Sequence, residues 1–211
     1  MGDSDETTGA DEPTGGGPDL RERLRAEALS TLERVEESYG PGPRLEPLPF
    51  GPRGHDPDEP PGTVAEQRAL LAGVGGTVVV DDRADAPASP HVVLVKRTYA
   101  DGWVSPGGAA EPGESLPTTA IRETEEETGL DIELTGLFYS RLVEHRYAAG
   151  DPLTVPMAVF TARATGGALA DRPDHRLPDG RPELEAARWF PVADLPPAAV
   201  DRERIRNRLG E

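Results

Sequence analysis

Three glutamates in the middle of the chain have the spacing of a metal-binding site. Glu123, Glu126 and Glu127 stand at positions i, i+3 and i+4. In an α-helix, which turns by about 100° per residue, these positions share one face. Three neighbouring negative charges repel one another and destabilise a bare helix. A divalent cation bound between them would neutralise this repulsion. Carboxylate oxygens suit Mg²⁺ or Mn²⁺, and these ions serve phosphate chemistry.

Local signals bound the helix that would carry these glutamates. Ser115 is a favourable N-cap, and Pro117 falls in the first turn, where a missing N–H costs nothing. Gly129 provides the stop signal at the C-terminal end. We expect the helix to pack on the core through the face opposite Glu123. That face consists of Pro117, Ile121, Thr124 and Thr128, with Ala120 beside them.

The segment from Gly107 to Leu130 resembles the MutT/Nudix hydrolase box. Gly107 and Gly108 precede the helix and would let the backbone approach a ligand closely. The box has the pattern G-x5-E-x7-R-E-U-x-E-E-x-G-U, where U is a bulky aliphatic residue. The matching residues are Gly108, Glu114, Arg122, Glu123, Glu126, Glu127, Gly129 and Leu130. Thr124 stands where an aliphatic residue is expected, and it predicts looser packing without loss of the chemistry.

The resemblance implies a role for each of these residues. Glu123 or its neighbour Glu126 would help to activate the attacking water, and Arg122 would orient Glu123. Glu114 would steady the start of the helix or join the metal shell. The ligands of Mg²⁺ or Mn²⁺ would be Glu123, Glu126, Glu127, Glu114 and the carbonyl group of Gly107.

The expected activity is hydrolysis of phosphoanhydride bonds in compounds that contain a nucleoside diphosphate. Bound metals polarise water and neutralise the developing charge, as this reaction requires. A nucleoside triphosphate, ADP-ribose or a dinucleoside polyphosphate would each be a reasonable substrate. Two alternatives stay open. The acidic face could be ordinary solvated surface, or the chain could be a catalytically silent Nudix module that senses a nucleotide and signals to a partner.

Four residues outside the box are candidates for substrate binding. Arg97 ends a predicted strand near the site and could contact a phosphate, although a surface cation fits equally well. Arg141 belongs to a basic group with His145 and Arg146, which could hold a phosphate or form structural ion pairs. The other candidates are Tyr147, at a position where diadenosine polyphosphate enzymes tend to carry tyrosine, and Glu185, a late carboxylate.

Composition limits the partners and the compartment. The chain has 211 residues, a net charge of −17 and no cysteine, so disulfides and thiolate metal sites are excluded. No basic stripe is available for a nucleic-acid duplex, and no run of about 18 apolar residues predicts a membrane span. A cytoplasmic protein with a small nucleotide-type substrate is the expectation. Lys96 is the only lysine, which suggests a salt-adapted, halophilic protein; equal unfolding midpoints in low and molar KCl would remove that hypothesis.

Three regions follow one another along the chain. Residues 1–18 are acidic and predict a disordered tail. Residues 19–62 predict a helix that begins with a capping-box pattern at Asp19 and Glu22, followed by a linker rich in proline and glycine. That helix would pack on its own domain or serve as a lid or in a homodimer. Residues 63–211 predict the Nudix domain, with a short helix after Thr63.

The fold class expected for this domain is α/β. Strands are predicted over 75–80, 92–95, 134–147, 155–160 and 187–192, with a closing helix over 201–209. Pro156 predicts that its strand is an edge strand or contains a bulge. Strands interspersed with helices indicate a mixed sheet covered by helices. The resemblance sharpens this to a Nudix-type α/β/α sandwich with an N-terminal helical extension. Trp103 and Trp189 would stack on a base or belong to the core.

Overall fold

The computed structural model describes residues 19–54, 56–81, 90–170, 176 and 180–210. The tail predicted over 1–18 lies outside these ranges. The helices are α1 (Leu20–Tyr39), α2 (Val64–Leu70), α3 (Leu116–Thr128) and α4 (Arg202–Leu209), with a 3-10 turn at Val192–Asp194. The strands are β1 (Leu48–Phe50), β2 (Val74–Val80), β3 (His91–Arg97), β4 (Gly107–Ala109), β5 (Leu130–His145), β6 (Leu153–Gly167) and β7 (Leu184–Pro191).

The described strands form one mixed sheet. Its order is β1-β5-β6-β2-β3-β7, with β4 paired to β2 beside this path. The pairs β1–β5 and β2–β6 are parallel, and the other pairs are antiparallel. The predicted α/β class with a mixed sheet is therefore confirmed.

Alternate residues of β6 show that helices cover both faces of this sheet. Phe160 is in a buried cluster with Leu32 of α1 and Ala120 of α3. Its neighbour Val159, whose side chain points the other way, is in a second cluster with Ile205 of α4. This alternation is the ordinary period of a strand. The α/β/α sandwich is confirmed. Helix α1 packs on the same face of the sheet as α3.

The N-terminal region differs from the sequence prediction in two details. Helix α1 begins after Asp19, but the Asp19 side chain makes no cap hydrogen bond and instead lies 3.3 Å from Nε of Arg21. Residues 40–62 are not only a linker, because β1 pairs in parallel with the end of β5. Pro49 argued against a strand here, because proline cannot donate to a ladder. It is tolerated because β1 lies at the edge of the sheet. The capping box at Thr63 and Glu66 of α2 is present as predicted.

The edge alternative predicted from Pro156 is wrong, whereas β6 does contain a bulge at Thr165, away from Pro156. Strand β6 lies between β5 and β2, so it is an interior strand and not an edge strand. Pro156 pairs in register with Leu142 of β5. On the opposite side, the ladder with β2 begins one residue later, at Met157 opposite Val74. The missing N–H of Pro156 therefore falls just outside that ladder.

Across the described parts of the chain, no helix has the length and hydropathy that a membrane crossing would need.

Candidate active site

Helix α3 begins and ends where the sequence predicts. The Ser115 hydroxyl accepts a hydrogen bond from the backbone N–H of Thr118 at 3.3 Å, and Pro117 lies in the first turn. Gly129 ends the helix in the left-handed conformation, with φ of 75°. A residue without Cβ adopts this conformation at low cost. The two cap residues thus fix the ends of the helix that carries the three glutamates.

Helix α3 buries only part of the predicted face, of whose five residues three are fully buried. Pro117 and Ile121 are only half-buried, whereas Glu123 and Glu127 are buried. The reason is a glycine-rich patch of sheet, where Gly75 of β2 pairs with Gly108 of β4. Because these strands carry no side chains there, α3 approaches closely and its carboxylates occupy the free space.

Thr124 occupies the one position that departs from the box pattern. It is fully buried, and its hydroxyl lies 2.7 Å from the carbonyl oxygen of Ala120 in the preceding turn. The same hydroxyl lies 2.7 Å from the hydroxyl of Thr77 in β2. The hydroxyl of Thr124 therefore returns to its own helix. A polar contact between helix and sheet thus stands where an aliphatic side chain is expected.

Glu127 is fully buried at the bottom of the site. Its Oε2 accepts the backbone N–H of Gly107 at 2.8 Å. Its Oε1 lies 2.9 Å from Nη2 of Arg97 but accepts no hydrogen bond from any described residue. Burial raises the pKa of Glu127 to about 7, although Arg97 and the Gly107 N–H act in the opposite direction. A buried carboxylate oxygen without a hydrogen bond is a feature that a cation would satisfy.

Arg122 connects the other three box glutamates. Its Nε lies 2.9 Å from Oε1 of Glu114, and its Nη1 lies 3.0 Å from oxygens of both Glu123 and Glu126. Nη2 also donates to the carbonyl oxygen of Ala109. The hydrogen bonds with Glu114 raise the pKa of Arg122, and the same bonds lower the pKa of Glu114 to about 2. This guanidinium can therefore orient Glu123 as the sequence resemblance implies.

The glutamates share one side of α3 but do not converge on a single point. Glu123 and Glu126 turn towards Arg122, and Glu127 turns towards Arg97. Among the residues that the structure describes, no three acidic or histidine side chains are grouped as a ready-made metal site. The donor set still fits a hard divalent cation, since it consists of carboxylates and a backbone carbonyl. Binding at Glu127 would require its contact with Arg97 to rearrange.

The low pKa of Glu114 predicts a pH-dependent contribution to stability. A carboxyl whose pKa is lower in the folded state stabilises above its unfolded pKa, usually 4.5, and this is lost as pH falls towards about 2. The free energy of unfolding of wild type should therefore exceed that of Glu114→Gln by at most about 3 kcal/mol at pH 7. Urea unfolding in molar KCl would show this difference shrinking below pH 4.5. A difference that stays constant down to pH 3 would contradict the assignment.

The structure brings Arg97 into the site together with two residues that sequence reasoning missed. Nη1 of Arg97 pairs with Glu183 and donates to the hydroxyl of Tyr99 at 2.9 Å. Nη2 donates to the carbonyl oxygen of Gly107 at 2.5 Å. No sequence signal marked Glu183, because it lies 86 residues from Arg97 and belongs to no motif.

The other candidates for substrate binding make contacts away from the box. Arg141 donates two hydrogen bonds to the carbonyl oxygen of Glu46, and Glu185 lies 2.5 Å from Nζ of Lys96. These contacts favour structural roles. Trp103 packs edge-on against Phe190, with ring centroids 4.7 Å apart, as expected for its core alternative.

Tyr147 belongs to a buried polar network beside α2. Its hydroxyl donates to Oε1 of Gln67 at 2.5 Å, and burial raises the pKa of Tyr147 to about 12. His145, also buried, lies 2.8 Å from Oδ2 of Asp56. Burial opposes ionisation of Asp56, but hydrogen bonds from Arg53 and His145 outweigh it and lower the pKa of Asp56 to about 2. These contacts tie the N-terminal region to β5 and do not involve the box.

Comparison with known protein families identifies the class of protein. The profile of the NUDIX domain matches residues 72–209, which include every box residue. The chain belongs to the NUDIX domain family.

Three curated proteins illustrate the similarity. The NAD-capped RNA hydrolase NudC of Deinococcus radiodurans is 30% identical over 121 residues, which are 56% of this chain and 38% of that protein. NudC of Pseudomonas putida strain W619 is 34% identical over 102 residues, which are 47% of this chain and 30% of that protein. The m7GpppN-mRNA hydrolase dcap-2 of Caenorhabditis elegans is 29% identical over 128 residues, which are 60% of this chain and 14% of that protein. This chain therefore spans between 14% and 38% of these relatives' lengths.

Solved structures show similarity over a larger share of both chains. A mutator MutT protein from Bacillus halodurans is 28% identical and covers 67% of this chain and 84% of its own, with a TM-score of 0.42. A MutT NUDIX hydrolase from Burkholderia pseudomallei is also 28% identical. The match covers 64% of this chain and 98% of that chain, with a TM-score of 0.39.

Proposed function

We propose that this chain hydrolyses phosphoanhydride bonds in nucleotides that contain a nucleoside diphosphate, with Mg²⁺ or Mn²⁺ held by the glutamates of α3. The observation that carries this proposal is the buried Oε1 of Glu127, which accepts no hydrogen bond from a described residue. It lies in a box that retains every glutamate of the family pattern. An ordinary solvated acidic face would not bury two of its glutamates.

The residues of the site would have two roles, metal binding and proton transfer. Glu123, Glu126 and Glu127 would hold the cation together with the carbonyl group of Gly107. When bound, the cation supplies Lewis-acid activation of water and neutralises charge on the phosphates. Glu123 would accept a proton from the attacking water, and Arg122 fixes its carboxylate by the contact at 3.0 Å. Glu114, itself held by Arg122, would keep the loop before α3 in place.

The proposed substrates are small nucleotides. Nucleoside triphosphates, ADP-ribose and dinucleoside polyphosphates all contain the required anhydride. The names of the similar curated proteins specify NAD-capped RNA and m7GpppN-mRNA, which also contain nucleotides joined through phosphates. A nucleotide at an RNA end therefore belongs in the substrate panel. A nucleic-acid duplex does not fit a chain with net charge −17. Location in the cytoplasm and formation of a homodimer stay predictions.

A substrate panel with controlled metal content tests the proposed function. The purified chain would be incubated with ATP, ADP-ribose, diadenosine tetraphosphate and NAD-capped RNA, in low and molar KCl. We expect at least one to release a nucleoside monophosphate or pyrophosphate with Mn²⁺. Removal of metal with EDTA should lower that rate by more than about a hundredfold, and fresh Mn²⁺ should restore it. Binding of a nucleotide without hydrolysis under every condition would instead support the silent sensing module.

A further inference from the structure

Arg97 contacts the same oxygen atoms that the proposed cation needs. Its Nη2 lies 2.9 Å from Oε1 of Glu127 and 2.5 Å from the carbonyl oxygen of Gly107. The Arg97 side chain is 17% exposed, and the Glu127 side chain is fully buried. The guanidinium thus neutralises a carboxylate that would otherwise be buried without a counter-charge.

A divalent cation and this guanidinium cannot share the two oxygens. Two positive charges a few ångströms apart in a poorly hydrated site repel strongly. A cation that binds Glu127 must therefore displace Nη2 of Arg97.

A second anionic partner is already in place for the displaced side chain. Nη1 of Arg97 pairs with Glu183 and donates to the hydroxyl of Tyr99. The Tyr99 hydroxyl in turn donates to Oε1 of Glu183 at 3.1 Å. A small rotation of the guanidinium about these contacts would release Glu127 and keep the charge of Arg97 paired. Nη2 would then be available to a phosphate oxygen.

We propose that Arg97 is a positioning residue that occupies Glu127 and the Gly107 carbonyl before metal binding and moves towards Glu183 when the cation enters. This inference rests on the proposed function, because it assumes that the box binds a divalent cation. It accounts for the orientation of Glu127, which turns towards Arg97 and away from the other glutamates of α3. It also makes Arg97 a competitor of the metal as well as a neighbour of the substrate.

Titration with Mn²⁺ in the absence of nucleotide tests this competition, with free Mn²⁺ followed by electron paramagnetic resonance at pH 8. Arg97→Gln should bind Mn²⁺ about tenfold more tightly than wild type, because no guanidinium must be displaced. Lys96→Gln is the matched control, since it removes the same charge one residue away and Lys96 pairs with Glu185. Its affinity should change by less than about twofold. Equal effects of the two substitutions would overturn the proposal.

Glu183→Gln provides a second test that does not depend on the stability of Arg97→Gln. Without Glu183, Arg97 keeps Glu127 as its main anionic partner, so Mn²⁺ should bind about fivefold more weakly. Glu185→Gln is the control for the lost negative charge and should have a smaller effect. In the Arg97→Gln background the effect of Glu183→Gln should fall to that of Glu185→Gln. An effect of Glu183→Gln that persists in that background would overturn this inference alone, whereas no Mn²⁺ uptake by folded wild type would overturn the proposed function as well.

Discussion

Replacing Glu126 by glutamine should lower the rate of nucleotide hydrolysis by more than about a hundredfold and leave the fold intact. The Glu126 side chain is 45% exposed, and its described partner is Arg122 at 3.0 Å. An exposed ion pair contributes little to stability, about 1 kcal/mol or less. The loss would therefore come from the charge that the carboxylate presents to the metal. Initial rates with Mn²⁺ and thermal unfolding of both proteins would measure the two effects separately.

Glu125→Gln is the matched control for this substitution. Glu125 is the adjacent residue of α3, is exposed and has no position in the box pattern. Both variants lose one negative charge from the same turn of the helix. We expect Glu125→Gln to retain at least about half of the wild-type rate, as surface substitutions commonly do. Equal rates for the two variants would show that net charge alone, and not the position of Glu126, matters.

Replacing Gly108 by alanine should lower activity by about ten- to a hundredfold, with a much smaller effect on stability. A Cβ atom at Gly108 would lie 2.5 Å from the carboxyl carbon and from one oxygen of Glu123. That carboxylate is the far end of a flexible side chain, so it can turn away without disturbing the backbone. The cost therefore falls on the position of Glu123 relative to the water that it would activate. Hydrolysis rates and chemical unfolding of the same preparations would measure both quantities.

Gly75→Ala is the contrasting variant in the paired strand. A Cβ atom there would lie 2.5 Å from the backbone oxygen of Leu116 and 2.8 Å from the backbone nitrogen of Ala120. Backbone atoms cannot rotate away, so α3 would have to shift as a whole, which should cost about 1–3 kcal/mol of stability. Full activity of Gly108→Ala, or a stability loss as large as that of Gly75→Ala, would contradict this account of the glycines.

The sequence was sufficient to predict the helix of the site because its signals are local. A serine cap and a left-handed glycine act within one turn, so the bounds of α3 could be read without tertiary information. The strands that build the interior of the sheet are apolar runs, and they were also predictable. The fold class followed from their alternation with helices.

The burial of Glu123 and Glu127 could not be predicted in the same way. A helical pattern assigns acidic residues to the solvent face, and only the tertiary structure shows that β2 and β4 offer backbone instead of side chains at this point. The partners of Arg97 were hidden for a similar reason, because Glu183 is distant in sequence and follows no pattern. Tyr147, whose role in substrate binding stays a prediction, presents the opposite case. Its position matched a family cue, but its side chain packs in a cluster with Leu24 and Leu153.

The central claim is that the glutamates of α3 hold a divalent cation, and titration calorimetry with Mn²⁺ tests it most directly. Folded wild-type protein should show saturable uptake, and Glu126→Gln should bind at least about tenfold more weakly, as expected for the loss of a metal ligand. Absence of saturable uptake by folded wild-type protein, in both low and molar KCl, would contradict the account.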